Sequence, residues 1–577
     1  MKISALSASP VIGLLALFLM TPDVHAQCGL LAEGSEMVSG IVYDDLNQDG
    51  QHGSGESGVA RVSVSNGCEV VLTNSDGSYE IALAPGQILF VSQPTGYVVP
   101  VDDNNQPLFF YTHYPDGTPT EIAGASVEWL FPVIEPTGPL PENIDFPLHR
   151  LSSQEIRFTA HAFADPQAQS DLDEDMLRED LVNTLLGNPY EAEFSLTVGD
   201  VVFDDLGLYD RHKEMMGLIG IPQWNLPGNH DMNYESPNAL YANETYKKHF
   251  GPTYYSFNYG NVHVVALNNV EYAGAGRRIS GLTPTGLPST NLIYRGFIPD
   301  DQLLWLEQDL ANVDEDKLIV IATHISLISE ASDGDPSHDV TGPQTENLDQ
   351  LLELLRPFSN VFGLAGHDTS NSWKVEINHE HGWTGQPWIA HTLAEVRGSG
   401  WTRGPKDLRG VAEAMMEDGN PNGFYLLKFD DVTLVPEFIP FPFGSDAAQR
   451  LRIVLDPELE DTTDSSINRG ILQRDTKVVV NLFDGGERDR VSLSLDGGRL
   501  MPMRYVVRTD PFMERAYRRL ADTQDAFPPP AVSSHIWEFD LPENLEPGIH
   551  TVVVESEDEF EQHQRGVLSF EVTGAAR

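Results

Sequence analysis

Between about Gln154 and Gly366 short apolar runs alternate with amphipathic segments, and nearly every run stops at a cluster of Asp, Asn, Gln or His. The runs are Ile156 to Phe163, Phe194 to Val198, Pro222 to Leu226, Val262 to Leu267, Leu318 to Ala322 and Val361 to Ala365, and only the fourth lacks such a cluster. Helical periodicity covers Met176 to Leu186, Asp300 to Leu310 and Glu346 to Leu355. Strands alternating with helices predict an α/β fold with a largely parallel sheet, whose strand-end loops converge on one crevice. The clusters, dispersed in sequence, are therefore expected to meet in space.

In chain order they are Asp165-Pro166-Gln167, Gly199-Asp200 with Asp204, Gly228-Asn229-His230-Asp231, Thr323-His324 and Gly366-His367-Asp368-Thr369. Carboxylate and amide oxygens mixed with imidazole suit Mn, Fe or Zn, and a chain with two cysteines cannot build a thiolate-rich centre. The ordered set resembles the calcineurin-like metallophosphoesterases, whose pattern runs Asp-x-His, Gly-Asp-x-x-x-Asp, Gly-Asn-His-Asp or Glu, a lone His, and Gly-His-x-His. The resemblance implies a central β-sandwich with flanking helices that hydrolyses a phosphate ester with two divalent transition metals. It implies that Asp200 bridges the metals, that Asn229, His324 and His367 complete the second, and that Asp165 and Gln167 belong to the first. His230 is then the group beside the phosphate, able to protonate the leaving oxygen, with Asp231 to orient it.

Two positions depart from the pattern, both at the first metal. Gln167 stands where His is usual, an Asp-Pro-Gln form seen in one secreted bacterial branch, and its carbonyl can ligate. Thr369 replaces the second His of Gly-His-x-His, and a hydroxyl is a poor substitute for imidazole. Asp368 turned inward, or His161 approaching from the strand before Asp165, would fill the gap; His161 reads as a packed histidine. Two functional readings follow: an exported metal-dependent phosphoesterase, and a catalytically degenerate binding or surface protein that keeps the fold.

Arg397, Arg403, Lys406 and Arg409 fall in one glycine-rich stretch, from Arg397 to Gly410, of an otherwise acidic chain. Arg397 and Arg403 are the expected anion clamp for the substrate phosphate, with Trp401 as a stacking wall. The region from Asp418 to Phe424, with Asp510-Pro511, His535-Ile536-Trp537 and Leu545 to His550, resembles the carboxyl-terminal module of the same secreted branch.

Short alternating strands separated by Gly, Asn, Asp and Pro turns predict an all-β domain before this region and another after it. The expected division is a leader at 1–26, a β-sandwich at 27–150, the phosphoesterase domain at 151–440 and a second β-sandwich at 441–577, with a basic helical insertion near Arg515 to Leu520. Asp45, Asn47, Asp49 and Glu56 meet the spacing of a calcium loop but lie between strands, as in calcium-stabilised β-modules.

Met1-Lys2, the apolar run to Met20 and Val24-His25-Ala26 have the layout of a cleaved secretory signal, too short to span a bilayer. Cleavage after Ala26 and a periplasmic or secreted product are expected; lipidation at Cys28 is a minor alternative. An oxidising compartment predicts a Cys28–Cys68 disulfide. With 87 acidic against 35 basic residues and a net charge of −52, nucleic acid and anionic membranes are disfavoured partners; the resemblance implies a phosphorylated small-molecule substrate, whose site must be locally positive in so acidic a chain.

Overall fold

The computed structural model describes residues 28, 34–153, 156–283, 288–329, 342–398, 400–441, 450–460 and 468–573. The expected leader lies outside them. Two sheets face each other in the middle of the chain. The first has the order Gln223–Leu226, Ala192–Val198, Arg157–Phe163, Gly423–Asp430 and Thr433–Pro440, the first three parallel. The second has Tyr255–Tyr259, Val262–Ala266, Leu318–Ala322, Asn360–Ala365, Trp388–Thr392 and Trp373–Ile377, with parallel strands between antiparallel edges. Val262–Ala266 and Leu318–Ala322 are buried at every position, because the partner sheet covers one face and the helices Asp300–Leu310 and Leu348–Leu355 help cover the other. The carboxyl ends of the parallel strands of both sheets open on one rim, where the metal-binding residue types lie.

Gly423–Asp430 and Thr433–Pro440 return from the far side of the basic loop to complete the first sheet, so the rim depends on chain well beyond the last sequence cluster.

On the amino-terminal side, two four-stranded sheets pack as a sandwich that shares one apolar core with the central layers. Gln93 bridges Phe257, Ser92 Oγ bonds Ser256 Oγ at 2.8 Å and Thr95 Oγ1 donates to Gly260 O at 2.9 Å, which docks the sandwich on the edge strand Tyr255–Tyr259. Cys28 and Cys68 are disulfide-bonded, with Cα atoms 5.6 Å apart.

After Arg450, sheets of four and five strands form a further sandwich with its own core, and the amphipathic helix Pro511–Leu520 lies against it. Its junction with the central layers is polar and buried. His535 Nε2 pairs with Asp418 Oδ2 at 2.9 Å and its Nδ1 donates to Gly485 O at 2.8 Å, both side chains being fully buried. Asp484 bonds His391 Nε2 and Tyr425 OH, each at 2.9 Å, with Lys374 Nζ at 3.6 Å. Charges so deep are tolerated only when paired. Burial opposes a charge on His535, yet its hydrogen bond to Asp418 prevails and raises its pKa. A raised histidine stabilises in full below its ordinary value of about 6.5 and loses that contribution as pH climbs through the raised one. Asp418→Asn is therefore expected to cost about 3–5 kcal/mol, lowering the melting temperature. Wild type should also lose more stability than the variant between neutral and alkaline pH; parallel pH slopes in calorimetry would refute the ion-pair account.

Candidate metal centre

Each sequence cluster sits just beyond the carboxyl end of its strand. Asp165 and Gln167 follow Arg157–Phe163, Asp200 follows Ala192–Val198, and Asn229 and His230 follow Gln223–Leu226. From the facing sheet come His324, after Leu318–Ala322, and His367, after Asn360–Ala365. The loops are wound tightly: Asp165, Gln167, Asp200, Asp204 and His367 all have φ between 41° and 74°. That left-handed region is costly for residues with a Cβ, and such strain gathers at functional sites. Two glycines let backbone pack directly on carboxylates. A Cβ on Gly228 would stand 2.1 Å from Asp200 Oδ1, and one on Gly366 2.3 Å from Asp165 Oδ2.

Asp200 is the hub. Its Oδ1 accepts from His230 N at 2.8 Å and lies 3.2 Å from His324 Nε2, while Oδ2 accepts from Gln167 Nε2 at 2.5 Å. Around His324 Nε2 also stand Asn229 Oδ1 at 3.0 Å and His367 Nδ1 at 3.2 Å. His324 Nδ1 lies 3.0 Å from Val198 O, a bond that needs the proton on Nδ1. In the neutral tautomer Nε2 therefore aims a lone pair at two further oxygens and a nitrogen. Either a proton on Nε2 or a cation can stand among them, and the donor set suits a borderline divalent metal. Among the described residues, Asp200, His324 and His367 are the group of three ionisable side chains whose ligating atoms lie within 4.8 Å of one another.

On the other side of Asp200, Gln167 Nε2 donates to Asp165 Oδ1 at 3.0 Å, and Asp165 accepts His367 N at 2.9 Å. Gln167 Oε1 is buried with no hydrogen bond; the amide turns Nε2 to Asp165 and Asp200, so a ligand role beside them requires it to flip and present this oxygen. Burial pushes the Asp165 carboxyl up to about 7.

His230 is held from several directions. Its Nδ1 bonds Asp204 Oδ1 at 2.8 Å, and its ring stacks on Phe203 with centroids 3.8 Å apart. Burial lowers its basicity, but Asp200 and Asp204 more than restore it, and its pKa is raised. The orienting role expected of Asp231 thus falls to Asp204. The Asp231 carboxylate is spent on the backbone N–H groups of Gly228, Val201 and Val202 and on the Tyr209 hydroxyl, and it braces the two loops against each other. Asp204 stood in the sequence as the second Asp of the Gly-Asp-x-x-x-Asp pattern, without its partnership with His230, whereas Phe203 and Tyr209 were within reach only as neighbours of Asp200.

The basic stretch divides. Arg397 is buried with its guanidinium 5.3 Å from the Phe203 ring centre, on the side of the molecule that carries His230. Arg403 is exposed, and its charge acts on Glu417, so its place among the clamp residues is not supported by its position. Trp401 is no stacking wall: it is buried, and its Nε1 donates to Pro166 O at 2.8 Å, propping the Asp165-Pro166-Gln167 turn from behind. Asp368 does not turn inward, because its Oδ1 accepts from Ser370 N, Ser370 Oγ and Asn371 N. His161 is fully buried among Phe163, Tyr190 and Phe424.

In the amino-terminal loop, Asp45 Oδ2 accepts from Gly50 N and Asn47 Oδ1 from Asp49 N. Asp49 Oδ1 accepts from Gln51 N, and Glu56 accepts from Leu46 N and Gly53 N. Asp45 Oδ1 is buried without a hydrogen bond. The four side chains fold into one loop, although their carboxylates do not draw within 4.8 Å of one another as a trio.

Without a metal, burial disfavours a charge on His324, but Asp200 and then Asp165 carry its pKa up to about 9. A cation has to expel that proton. Competition between Mn²⁺ and a chelator is expected to give binding about tenfold tighter per pH unit from about pH 6 to about pH 8; a flat profile would contradict the assignment of His324.

Two family models match the chain: the N terminal of calcineurin-like phosphoesterase over residues 46–123, and the C terminal of calcineurin-like phosphoesterase over residues 391–563. The structure of purple acid phosphatase PPD1 from yellow lupin (Lupinus luteus) seeds matches with a TM-score of 0.34 and 12% sequence identity, covering 70% of this chain and 67% of that one. No curated protein matches. The matched modules flank the strands whose ends carry Asp165, Asp200, Asn229, His324 and His367. The two family matches, which lie over residues 46–123 and 391–563, support the calcineurin-like metallophosphoesterase superfamily for this chain.

Proposed function

We propose that this protein is an exported phosphoesterase that hydrolyses the phosphate ester of a small molecule with the help of two divalent transition metals, Mn, Fe or Zn. One observation carries the reading: Asp200 Oδ1, Asn229 Oδ1 and His367 Nδ1 gather 3.0–3.2 Å from His324 Nε2, beside a histidine, His230, that a carboxylate holds in place. Export is supported by the signal-like first residues and the Cys28–Cys68 disulfide, a bond that persists in oxidising compartments such as the periplasm or the medium. Among the described residues no helix is long and apolar enough to cross a membrane. The net charge of −52 argues against a nucleic-acid partner.

Asn229, His324 and His367 would hold the second cation and Asp165 and Gln167 the first, with Asp200 shared. When bound, the pair supplies Lewis-acid polarisation of a phosphoryl oxygen and a water of lowered pKa. The chain's own residues do the rest. Asp204 accepts the Nδ1–H of His230 and fixes the ring, while Asp200 and Asp204 keep it protonated against the effect of burial. A positioned imidazolium can then give its Nε2 proton to the leaving oxygen. Arg397, buried over Phe203, brings a fixed positive charge that offsets the long-range repulsion of an anionic substrate by an acidic protein.

His230→Ala is expected to keep its metals and to lose about 10²–10⁴-fold in kcat on an alkyl phosphate. On an aryl phosphate, whose phenolate departs without a proton, the loss should be much smaller. Equal losses on both would remove the general-acid role. Two bound metals with no turnover of any phosphate ester would favour the degenerate binding or surface protein.

Asp45, Asn47, Asp49 and Glu56 are read as a separate calcium loop, supported by the orphaned Asp45 Oδ1. Calcium should raise the melting temperature of the full chain and leave that of Asp45→Ala unchanged; no shift in wild type means no site.

A further inference from the structure

Resting on the phosphoesterase reading, we propose that Tyr294 is a further substrate-binding residue, whose phenolic O–H donates to a non-bridging oxygen of the phosphoryl group. Of the six apolar runs, Val262 to Leu267 alone ends without a metal-binding cluster. The fold gives that strand end another task. The chain leaves Val262–Ala266 and enters a short ribbon in which Val270–Tyr272 pairs antiparallel with Tyr294–Gly296, Tyr272 opposite Tyr294. Asn269 ties the ribbon to the loop that carries His324: its Oδ1 accepts from His324 N at 3.2 Å and Ile325 N at 3.0 Å, and its Nδ2 donates to Ile325 O at 2.7 Å. Arg295 pins the returning strand through Glu271 and, at 3.0 Å, through Glu346. Tyr294 is thereby set at the rim with its ring edge-on to His367, centroids 5.9 Å apart.

Tyr234, Tyr272 and Tyr294 pack together here, and two of the three have committed their hydroxyls. Tyr234 OH donates to Asn229 O at 2.7 Å, and Tyr272 OH donates to Tyr234 O at 2.6 Å. Tyr294 is half-buried, and among the described residues its hydroxyl has no hydrogen-bond partner. The charges that act on that hydroxyl are Asp200 and Asp204. These two carboxylates hold His230 from two directions, Asp200 at its backbone N and Asp204 at its Nδ1. The Tyr294 hydroxyl is thus within reach of the space a phosphoryl group must occupy to meet both the Asp200 cluster and His230. Burial, with the two carboxylates, raises its pKa and keeps the phenol protonated at neutral pH. A fixed donor without a partner, placed where the reacting group carries negative charge, is the arrangement that stabilises an oxyanion. Being neutral, it does so without forming an ion pair with the acidic groups around it.

Substrate recognition is then divided. His230 serves the leaving oxygen, so its importance varies with the leaving group. Tyr294 serves the phosphoryl group, which every phosphate ester and inorganic phosphate share.

The test compares wild type with Tyr294→Phe, both full-length and loaded with Mn²⁺, on an alkyl phosphate and an aryl phosphate, with inorganic phosphate as competitive inhibitor. Tyr294→Phe is expected to keep the metal content and melting temperature of wild type, since the ring stays packed and the lost hydroxyl holds nothing else among the described residues. Its kcat/KM should fall about 10–100-fold, by the same factor on both esters, and inhibition by inorganic phosphate should weaken about tenfold or more. Unchanged kcat/KM with unchanged phosphate inhibition would overturn the proposal and leave the phosphoesterase reading standing. A loss confined to the alkyl ester would also overturn it, by assigning Tyr294 to the leaving group, and so would a loss that comes with reduced metal content, by assigning the hydroxyl to the packing of the site. A wild type that neither hydrolyses a phosphate ester nor binds inorganic phosphate would overturn both.

Discussion

Buried negative charge at the shared rim of two β-sheets is the constraint on which the rest depends. Asp165, Asp200, Asp231 and Glu395 are all within 1% of full burial, on loops pressed together by glycines. Asp200 keeps its charge because His324 and His230 outweigh burial, whereas burial drives Asp165 and Asp231 upward. Such a cluster is unfavourable as a structural core and favourable as a cation cage. The strained φ values of Asp165, Asp200 and His367 belong to the same trade: the fold holds ligands where no local preference would put them.

What holds them is the sandwich around the rim. Continuous burial along Val262–Ala266 and Leu318–Ala322 fixes the strand ends, and the flanking β-domains stiffen the sheet edges through paired polar groups rather than through apolar surface alone. Buried ion pairs such as Asp418–His535 are poor sources of net stability, but they are specific, because a mispaired partner strands a charge. The carboxyl-terminal part is thus locked to Trp373–Ile377, Trp388–Thr392 and Gly423–Asp430 through Lys374, His391 and Tyr425. The segment from Arg397 to Trp401 links both regions: Arg397 reaches over Phe203 toward His230, and Trp401 supports the Asp165 turn.

Much of the middle layer was legible from periodicity. The six expected strands occur within two residues of their expected starts and ends, and the helix Asp300–Leu310 is as read. The helix expected at Met176 to Leu186 begins earlier, at Asp171, because Ser170 caps it, and it contains a π-helical turn at Arg178–Val182. The helix expected from Glu346 starts at Leu348, as Glu346 is drawn to Arg295 and to Leu282 N. The return of Gly423–Asp430 to the first sheet was hidden, since antiparallel pairing at long range leaves no mark on local pattern. At the site, residue types announced ligands but not directions. Asp231 and Asp368 look like available carboxylates in sequence and are consumed by backbone N–H groups in the fold.

The chain by itself determined which chemistry was possible, because oxygen and imidazole donors placed directly after apolar runs are a local property that a parallel sheet converts into a common rim. It also determined that the usual histidine is missing at Thr369. Only the tertiary structure decided which side chains share the crevice and which brace it. Glu395 stands in no motif, and its burial beside Arg397, with neither carboxylate oxygen hydrogen-bonded, arises from contacts between strands far apart in sequence. Trp401 and Arg403 lie two residues apart, yet one is core and the other solvated, a difference set by the packing of the Asp165 turn against one of them.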